Sequence, residues 1–152
     1  MRHFTLSHCA GEKCIPATLR KDVADAITGI TVKAGPGAAP RIRAQLLSKL
    51  KAAGWSGEVC VSAESDMTIT SAKDDIGLCM QTGNMSRMYA DLMKLQAMYL
   101  GDLIKGAVIV VPSQDMAKLL GDNIAQSKRL ERELAIFKKA YHVPTLVYAM
   151  EP

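Results

Sequence analysis

The sequence predicts an α/β protein with a central mixed β-sheet flanked by helices. Two observations carry this prediction. The apolar run over residues 106–111, which stands before Pro112, is typical of a strand covered on both faces. Over residues 85–100, apolar side chains recur at helical spacing across a wider arc than one packing contact requires. We therefore expect a buried sheet and a helix that is covered on more than one side.

Length and composition favour one folded domain over residues 1–152. The chain is 49% hydrophobic and 22% charged, values typical of globular rather than disordered proteins. Its net charge of +4 is compatible with a nucleic-acid partner, but many proteins without such a partner are equally basic. Charge alone therefore does not decide the function.

Several classes of protein are not indicated by the sequence. No apolar run approaches the length of about 18 residues that a membrane helix requires, and the N-terminus lacks the apolar core of a signal peptide. We therefore expect a cytoplasmic protein that makes no membrane contact. The four cysteines are too scattered to indicate a disulfide framework. A glycine-rich phosphate loop and a nucleophile elbow are also missing, which argues against nucleotide binding and acyl transfer.

The N-terminal part predicts, in order, a strand, two helices and a second strand. These elements are expected at residues 4–6, 19–29, 40–53 and 59–63. Residues 1–17 form an opening segment, Thr18 is the expected cap of the first helix, and Gly54 ends the second. We expect the strand over 59–63 to be the first strand of the central sheet.

The remainder of the chain predicts a hairpin, three helices and two further strands. Within the core segment 67–101, a strand to Thr70 is followed by a turn over 71–75, a buried strand, a corner at Gly83 and a helix capped by Asn84. After the strand over 106–111, we expect a short helix capped by Ser113, a long helix running from an Asn123 cap to Tyr141, and a last strand over 145–149.

The core segment resembles that of restriction endonucleases of the BglII and BamHI type, in the PD-(D/E)xK superfamily. In that family, a strand ending in Asp returns as a strand carrying Glu and Gln, and the next helix has an Asp and a Lys three residues apart. The frame fits here without a gap, with Thr70 at the family's Asp, Cys79 at its Glu, Gln81 in place, and Asp91 and Lys94 on the helix. The resemblance covers residues 18–150 and implies a restriction-endonuclease-like fold.

The two substituted positions bear on the chemistry that the resemblance implies. The family's DNA hydrolysis depends on Mg²⁺, which requires oxygen ligands, whereas the hydroxyl of Thr70 is a weak ligand and the thiolate of Cys79 is a soft one. Gln81 then has a structural role at the following corner, or the family's role in positioning water. We expect a catalytically degenerate protein without a cofactor, serving as a DNA-binding or partner-binding subunit of a nucleic-acid or defence assembly.

Two alternatives remain open from the sequence. An active Mg²⁺-dependent endodeoxyribonuclease would use Gln81 with displaced carboxylates, for which the candidates are Glu64, Asp66, Asp74 and Asp75. Asp74 and Asp75 are more simply explained as the charged tip of a turn. The second alternative is a structural module that binds protein and does not contact DNA.

The basic side chains and the wide apolar surface of the helix over residues 85–100 suggest two kinds of partner. The candidates for contacts with phosphates of duplex DNA are Arg41, Arg43, Arg87, Lys94, Arg129 and Arg132. Each of them also fits an ordinary solvated helix face. The wide apolar surface over residues 85–100 predicts a homodimer or a larger protein partner, unless the C-terminal helices of the chain itself cover that surface.

Overall fold

A computed structural model describes all 152 residues of the chain. The strands are β1 Arg2–His8, β2 Val59–Cys60, β3 Thr68–Ile69, β4 Ser71–Lys73, β5 Ile76–Met80, β6 Gly106–Pro112 and β7 Thr145–Glu151. The helices are α1 Gly11–Cys14, α2 Ala17–Thr28, α3 Ala39–Ala52, α4 Met85–Leu100, α5 Gln114–Leu120 and α6 Ser127–Ile136. None of these helices has both the length and the apolar content that crossing a membrane requires.

The central sheet has five strands in the order β1-β7-β6-β5-β4. Its three inner strands, β5, β6 and β7, run parallel to one another, and the edge strands β1 and β4 are antiparallel to their neighbours. Every residue of β5 and β6 is buried, as expected for parallel strands covered on both faces. The predicted α/β fold with a central mixed sheet flanked by helices is confirmed.

Helices cover both faces of the sheet and form two apolar layers. Alternate residues of β6 enter different layers, since Val108 and Val110 pack with α2, α3 and α5, while Ile109 and Val111 pack with α4 and α6. The chain thus places α3 and α4 on opposite faces of the sheet. The site described below lies where these two layers meet.

The prediction of a central strand over residues 59–63 is wrong. Only Val59 and Cys60 form a strand, and they pair with β3 in a separate two-stranded sheet. The outer edge of β5 is already occupied by β4, so residues 59–63 do not pair with β5.

The hairpin turn is shorter than the predicted loop over 71–75. The strand continues through Lys73, and only Asp74 and Asp75 form the turn, with φ angles of 48° and 63°. Two consecutive left-handed residues are the signature of the hairpin turn whose twist matches the flanking strands, and aspartate tolerates this conformation. The charged residues therefore define the turn itself.

The start and the end of the predicted long helix are also wrong. Gln126, not Asn123, caps α6, because its side chain accepts a hydrogen bond from the N–H of Arg129 at 3.1 Å. Asn123 has a left-handed φ of 52°. The helix ends at Ile136, short of Tyr141.

Two of the three other predicted helix caps are confirmed. The side chain of Asn84 accepts the N–H of Ser86 at 2.8 Å, and that of Ser113 accepts the N–H of Met116 at 3.2 Å. Thr18 does not cap α2, because the helix already begins at Ala17.

Candidate functional site

A polar cleft of about 500 Å³ lies beside the carboxyl end of β5. Its walls come from the start of α3, the segment Thr68–Thr70, the end of β5 and the exposed side of α4. The charged and polar side chains that line it are Arg43, Glu58, Thr68, Thr70, Gln81, Thr82, Arg87 and Lys94. No sequence signal singled out Glu58, Thr68 or Thr82. Glu58 and Thr68 join the site through the path of the chain around β2 and β3, and Thr82 lies in the corner between β5 and α4.

The structure places Thr70 and Cys79 on the same hairpin. Ser71 pairs with Leu78, so continuing this antiparallel register sets Thr70 opposite Cys79. The hydroxyl of Thr70 accepts the backbone N–H of Met80 at 3.1 Å. The Cys79 side chain points into the layer under α4, where burial, followed by the charge of Asp91, raises the pKa of its thiol. The Thr70 hydroxyl is thus engaged in a hydrogen bond, and Cys79 is a core residue.

Gln81 links the end of β5 to the corner and to α4. Its side-chain oxygen accepts the N–H of Gly83 at 3.0 Å, and its amide nitrogen donates to Oδ2 of Asp91 at 2.9 Å. A side chain at Gly83 would approach that same oxygen at 3.1 Å, which favours glycine at this corner. Both ends of the amide are therefore engaged within the chain.

Asp91 lies behind Gln81 and beneath Lys94. Burial raises the pKa of the Asp91 carboxyl, although the hydrogen bond from Gln81 and the charge of Lys94 oppose this shift. Lys94 Nζ lies 3.6 Å from Oδ1 of Asp91 and also lines the cleft. An ammonium group has three donors, so Lys94 retains donors for a ligand.

The two arginines of the cleft also have free donors. Arg43 donates one N–H to the carbonyl of Met80 at 2.9 Å, and a guanidinium carries five N–H groups. Arg87 is exposed, and its side chain makes no hydrogen bond or ion pair within the chain. An anion in the cleft would therefore meet two guanidinium groups without an ion pair in the chain, and the ammonium group of Lys94, which is paired with Asp91 at 3.6 Å.

The other three candidates for phosphate contacts lie outside the cleft. Arg41 is exposed on α3, and Arg132 is exposed on α6. Arg129 donates from Nε to Glu133 at 2.8 Å and from a terminal nitrogen to the Tyr89 hydroxyl at 3.0 Å. The four-residue spacing of Arg129 and Glu133 was a sequence signal for this pairing, because such residues are neighbours on a helix.

The four displaced carboxylates are not brought together. Asp74 and Asp75 form the hairpin turn at the far end of β5, and Asp75 pairs with Lys105 at 3.2 Å. A strand rises about 3.3 Å per residue, so roughly 17 Å separates this turn from the end of β5. Glu64 and Asp66 are exposed in the connection between β2 and β3. Nowhere in the chain do three His, Cys, Asp or Glu side chains gather as metal ligands would.

The donor set of the cleft does not fit Mg²⁺. This ion requires near-octahedral oxygen ligands, usually including one or two carboxylates. Thr70 offers a hydroxyl that is already hydrogen-bonded, Cys79 offers a buried thiol, and the oxygen of Gln81 is engaged by Gly83. Of the two carboxylates near the cleft, Asp91 is engaged by an amide and an ammonium group, and Glu58 is a single exposed carboxylate on the wall, without a second one beside it. We therefore derive no metal-dependent step from these residues.

The fold agrees closely with that of a restriction endonuclease. A crystal structure of BglII complexed with a DNA 16-mer matches with a TM-score of 0.89 and 10% identity, over 99% of this chain and 76% of the other. The structure of free BglII matches with a TM-score of 0.79 and 11% identity, over 100% of this chain and 80% of the other. At these identities the likeness establishes the fold alone.

A comparison of sequences identifies the family. A search of curated proteins gives no match. Residues 4–150 match the family model described as restriction endonuclease BglII/BglIII. Because this match spans nearly the whole chain, the protein belongs to the BglII family of restriction endonucleases, within the PD-(D/E)xK superfamily.

Proposed function

We propose that this protein binds duplex DNA and does not cleave it by the Mg²⁺-dependent route. One observation carries the proposal. Where the resemblance implies two carboxylate ligands, the chain has the hydrogen-bonded hydroxyl of Thr70 and the buried thiol of Cys79, while Arg43, Arg87 and Lys94 line the cleft beside Thr70. The cleft thus offers cationic groups where a Mg²⁺ site would need carboxylates.

Two further facts support duplex DNA as the ligand. BglII has been solved in complex with a DNA 16-mer, and this chain shares its fold and family. The net charge of +4 favours association with a polyanion. Contacts of arginine and lysine with phosphate fix the position of a protein on DNA without reading its sequence. Such a protein would serve as the DNA-binding subunit of a nucleic-acid or defence assembly.

Two assays on the purified protein test this proposal. Fluorescence anisotropy of a labelled duplex should show binding whose affinity falls steeply with salt, because phosphate contacts release counterions. Supercoiled plasmid incubated with Mg²⁺ or Mn²⁺ should stay intact. Cleavage that is abolished by substitution of Thr70 or Cys79 would overturn the proposal, and so would the absence of salt-dependent binding.

We also propose that the partner surface on α4 and α6 pairs with a second copy of this chain. Large apolar side chains are exposed there, at Met93 and Leu100 of α4 and at Ile136 and Phe137 at the end of α6. An apolar hollow of about 260 Å³ on the same surface is lined by residues that include Tyr89, Met93 and Phe137. A two-fold interface uses the same patch on both subunits, so a patch with both a protrusion and a hollow can complement itself.

The oligomeric state tests this second proposal. Sedimentation should show a dimer for the wild-type protein and a monomer for Ile136→Glu, because the substitution places a charge in the apolar contact. Leu119→Glu is the matched control, since Leu119 is exposed on α5, on the other face of the sheet. A monomeric wild-type protein, or equal effects of the two substitutions, would contradict the proposal.

A further inference from the structure

We propose that the cleft binds a single DNA phosphodiester group directly through Arg43, Arg87 and Lys94, without a divalent cation. The inference rests on the proposed function, because it takes duplex DNA as the ligand. It follows from the observation that the donor groups of the cleft do not match the oxygen ligands that Mg²⁺ requires. A phosphate bound beside two carboxylates needs a metal ion to offset the repulsion, whereas this chain has the uncharged Thr70 and Cys79 at the two positions where the resemblance implies those carboxylates.

The charges around the cleft suit one monoanion. Three cationic side chains lie against two carboxylates, Glu58 on the wall and Asp91 beneath Lys94. Even with both carboxylates ionised, one positive charge remains, which equals the charge that a phosphodiester group neutralises. A divalent cation added at this point would increase the positive charge and would find one carboxylate, Glu58, in place of a full set of oxygen ligands.

The hydrogen-bonding capacity of the cleft also suits a phosphate group. Arg87 uses none of its side-chain donors within the chain, and Arg43 uses one on the Met80 carbonyl. A guanidinium presents paired N–H groups that match two oxygens of a phosphate. The anion therefore meets donors from α3 on one side and from α4 on the other.

Asp91 and Gln81 act as positioning residues for Lys94. The N–H of Gly83 fixes the oxygen of Gln81, the amide of Gln81 fixes one oxygen of Asp91, and the other oxygen of Asp91 faces Lys94 at 3.6 Å. This chain of contacts holds the ammonium group at the cleft wall before a ligand arrives. In this interpretation, Gln81 orients a cation instead of the water molecule that the resemblance implies.

The first experiment measures duplex binding by anisotropy in EDTA and in Mg²⁺ at equal ionic strength. Wild-type affinity in EDTA should equal or exceed that in Mg²⁺, because Mg²⁺ acts only as a competing counterion. Arg87→Gln should weaken binding about five- to tenfold at low salt and reduce the slope of log affinity against log salt by about 1. Arg87 is chosen because it is exposed and unpaired, so its loss spares the fold.

Lys13→Gln is the matched control for the loss of one exposed charge. Lys13 belongs to α1, which lies at the opposite end of the sheet, where its neighbour Cys14 contacts Lys105 at the start of β6. This control should change the affinity less than twofold. Binding that requires Mg²⁺, or equal effects of the two substitutions, would overturn the inference and leave the proposed DNA binding standing. Failure of the wild-type protein to bind any duplex would overturn the proposed function itself.

A competition arm distinguishes a DNA phosphodiester from a free phosphate. Inorganic phosphate at millimolar concentration should displace little of the duplex beyond the effect of its ionic strength, because a duplex contacts the protein at several phosphates at once. Displacement of the duplex at micromolar phosphate would assign the cleft to a free anion and overturn the choice of ligand.

A second variant tests the position of the phosphate in the cleft. Thr70→Asp restores a carboxylate at the wall, and its oxygen can still accept the N–H of Met80. Thr70→Asn, with the same shape and no charge, is its control. Thr70→Asp should bind duplex at least about tenfold more weakly in EDTA and recover in Ca²⁺, since a carboxylate beside a phosphate requires a bridging cation. Equal binding of both variants in EDTA would contradict the assigned position.

Discussion

Two buried carboxylates beside α4 have opposite pKa shifts. Glu133 of α6 and Asp91 of α4 are each 9% exposed. Glu133 accepts hydrogen bonds from Arg129 at 2.8 Å and from the Tyr89 hydroxyl at 2.6 Å, and Arg129 also donates to Tyr89. Asp91 accepts one hydrogen bond from a neutral amide, and its nearest cation lies 3.6 Å away. The two side chains are equally exposed, but Asp91 is more deeply surrounded by the protein than Glu133, and its partners are fewer.

Depth and partners together determine the direction of each pKa shift. Burial by itself raises the pKa of both carboxyl groups. At Glu133 the hydrogen bonds from Arg129 and Tyr89 outweigh burial and lower the pKa. At Asp91 the hydrogen bond from Gln81 and the charge of Lys94 do not outweigh burial, and the pKa stays raised. The Glu133 network is closed within the chain, whereas the cleft over Asp91 keeps unused donors. We infer that the Glu133 network stabilises the fold, and that the donors of the cleft over Asp91 are available to a ligand.

The largest expected effect concerns the thiol beneath the cleft. Native protein treated with iodoacetamide should be labelled at the exposed Cys60 at least about 100-fold faster than at Cys79, because a buried thiol reacts only after local opening. Mass spectrometry of peptides over time measures the ratio. Comparable rates would show that Cys79 opens to the cleft and is available as a ligand.

Removing the carboxylate from the closed network should destabilise the protein. Glu133→Ala leaves Arg129 and Tyr89 without their acceptor, and we expect a loss of about 1–2 kcal/mol, discounted because the network lies near the surface. Urea denaturation measures this loss. Glu131→Ala, an exposed residue of the same helix, should change the stability by less than about 0.5 kcal/mol. Similar losses in both variants would remove the contrast between the two sites.

Substitutions of Thr70 test whether the hydroxyl at the cleft wall is already used by a hydrogen bond within the chain. Thr70→Val keeps the shape but leaves the buried N–H of Met80 without an acceptor, which should cost about 1 kcal/mol of unfolding free energy. Thr70→Ser retains the hydroxyl and should lose less. An unchanged stability of the valine variant would show that the hydroxyl of Thr70 is free to bind a ligand.

The smallest effect is a difference in pH dependence. Because the folded-state pKa of Asp91 is raised, its proton is bound more tightly in the folded state, and the wild-type protein gains stability as pH falls through that pKa. The lowered pKa of Glu133 has the opposite consequence, since its contribution is lost as pH falls through the folded-state value. Relative to wild type, Asp91→Asn should therefore become less stable towards acid pH, and the deficit of Glu133→Gln should shrink. Parallel trends in denaturation curves would contradict the two assignments.

Much of the fold follows from local patterns in the sequence. The apolar run of β6 and the wide apolar arc of α4 predicted buried elements, and Asn84 and Ser113 cap their helices as expected. The wrong predictions concern segments whose position depends on pairing with distant parts of the chain. The predicted hairpin indicates the strand beside β5, but nothing local shows that Val59 and Cys60 pair with β3 in a separate sheet and stay outside the central one.

The site was predictable only in part for the same reason. The bonds of Gln81 to the corner and to Asp91 agree with its predicted structural role. The sequence could not show that Arg43 lies near Arg87 and Lys94, because α3 and α4 lie on opposite faces of the sheet and meet only beyond the end of β5. In sequence, Arg43 looked the same as the solvated Arg41.

The most direct test is a crystal structure of the protein with duplex DNA and Mn²⁺, recorded at the manganese absorption edge. We predict a backbone phosphate in contact with Arg43, Arg87 and Lys94, and no anomalous peak near Thr70, Cys79 and Gln81. A manganese ion bound between these three residues and a phosphate would contradict the account.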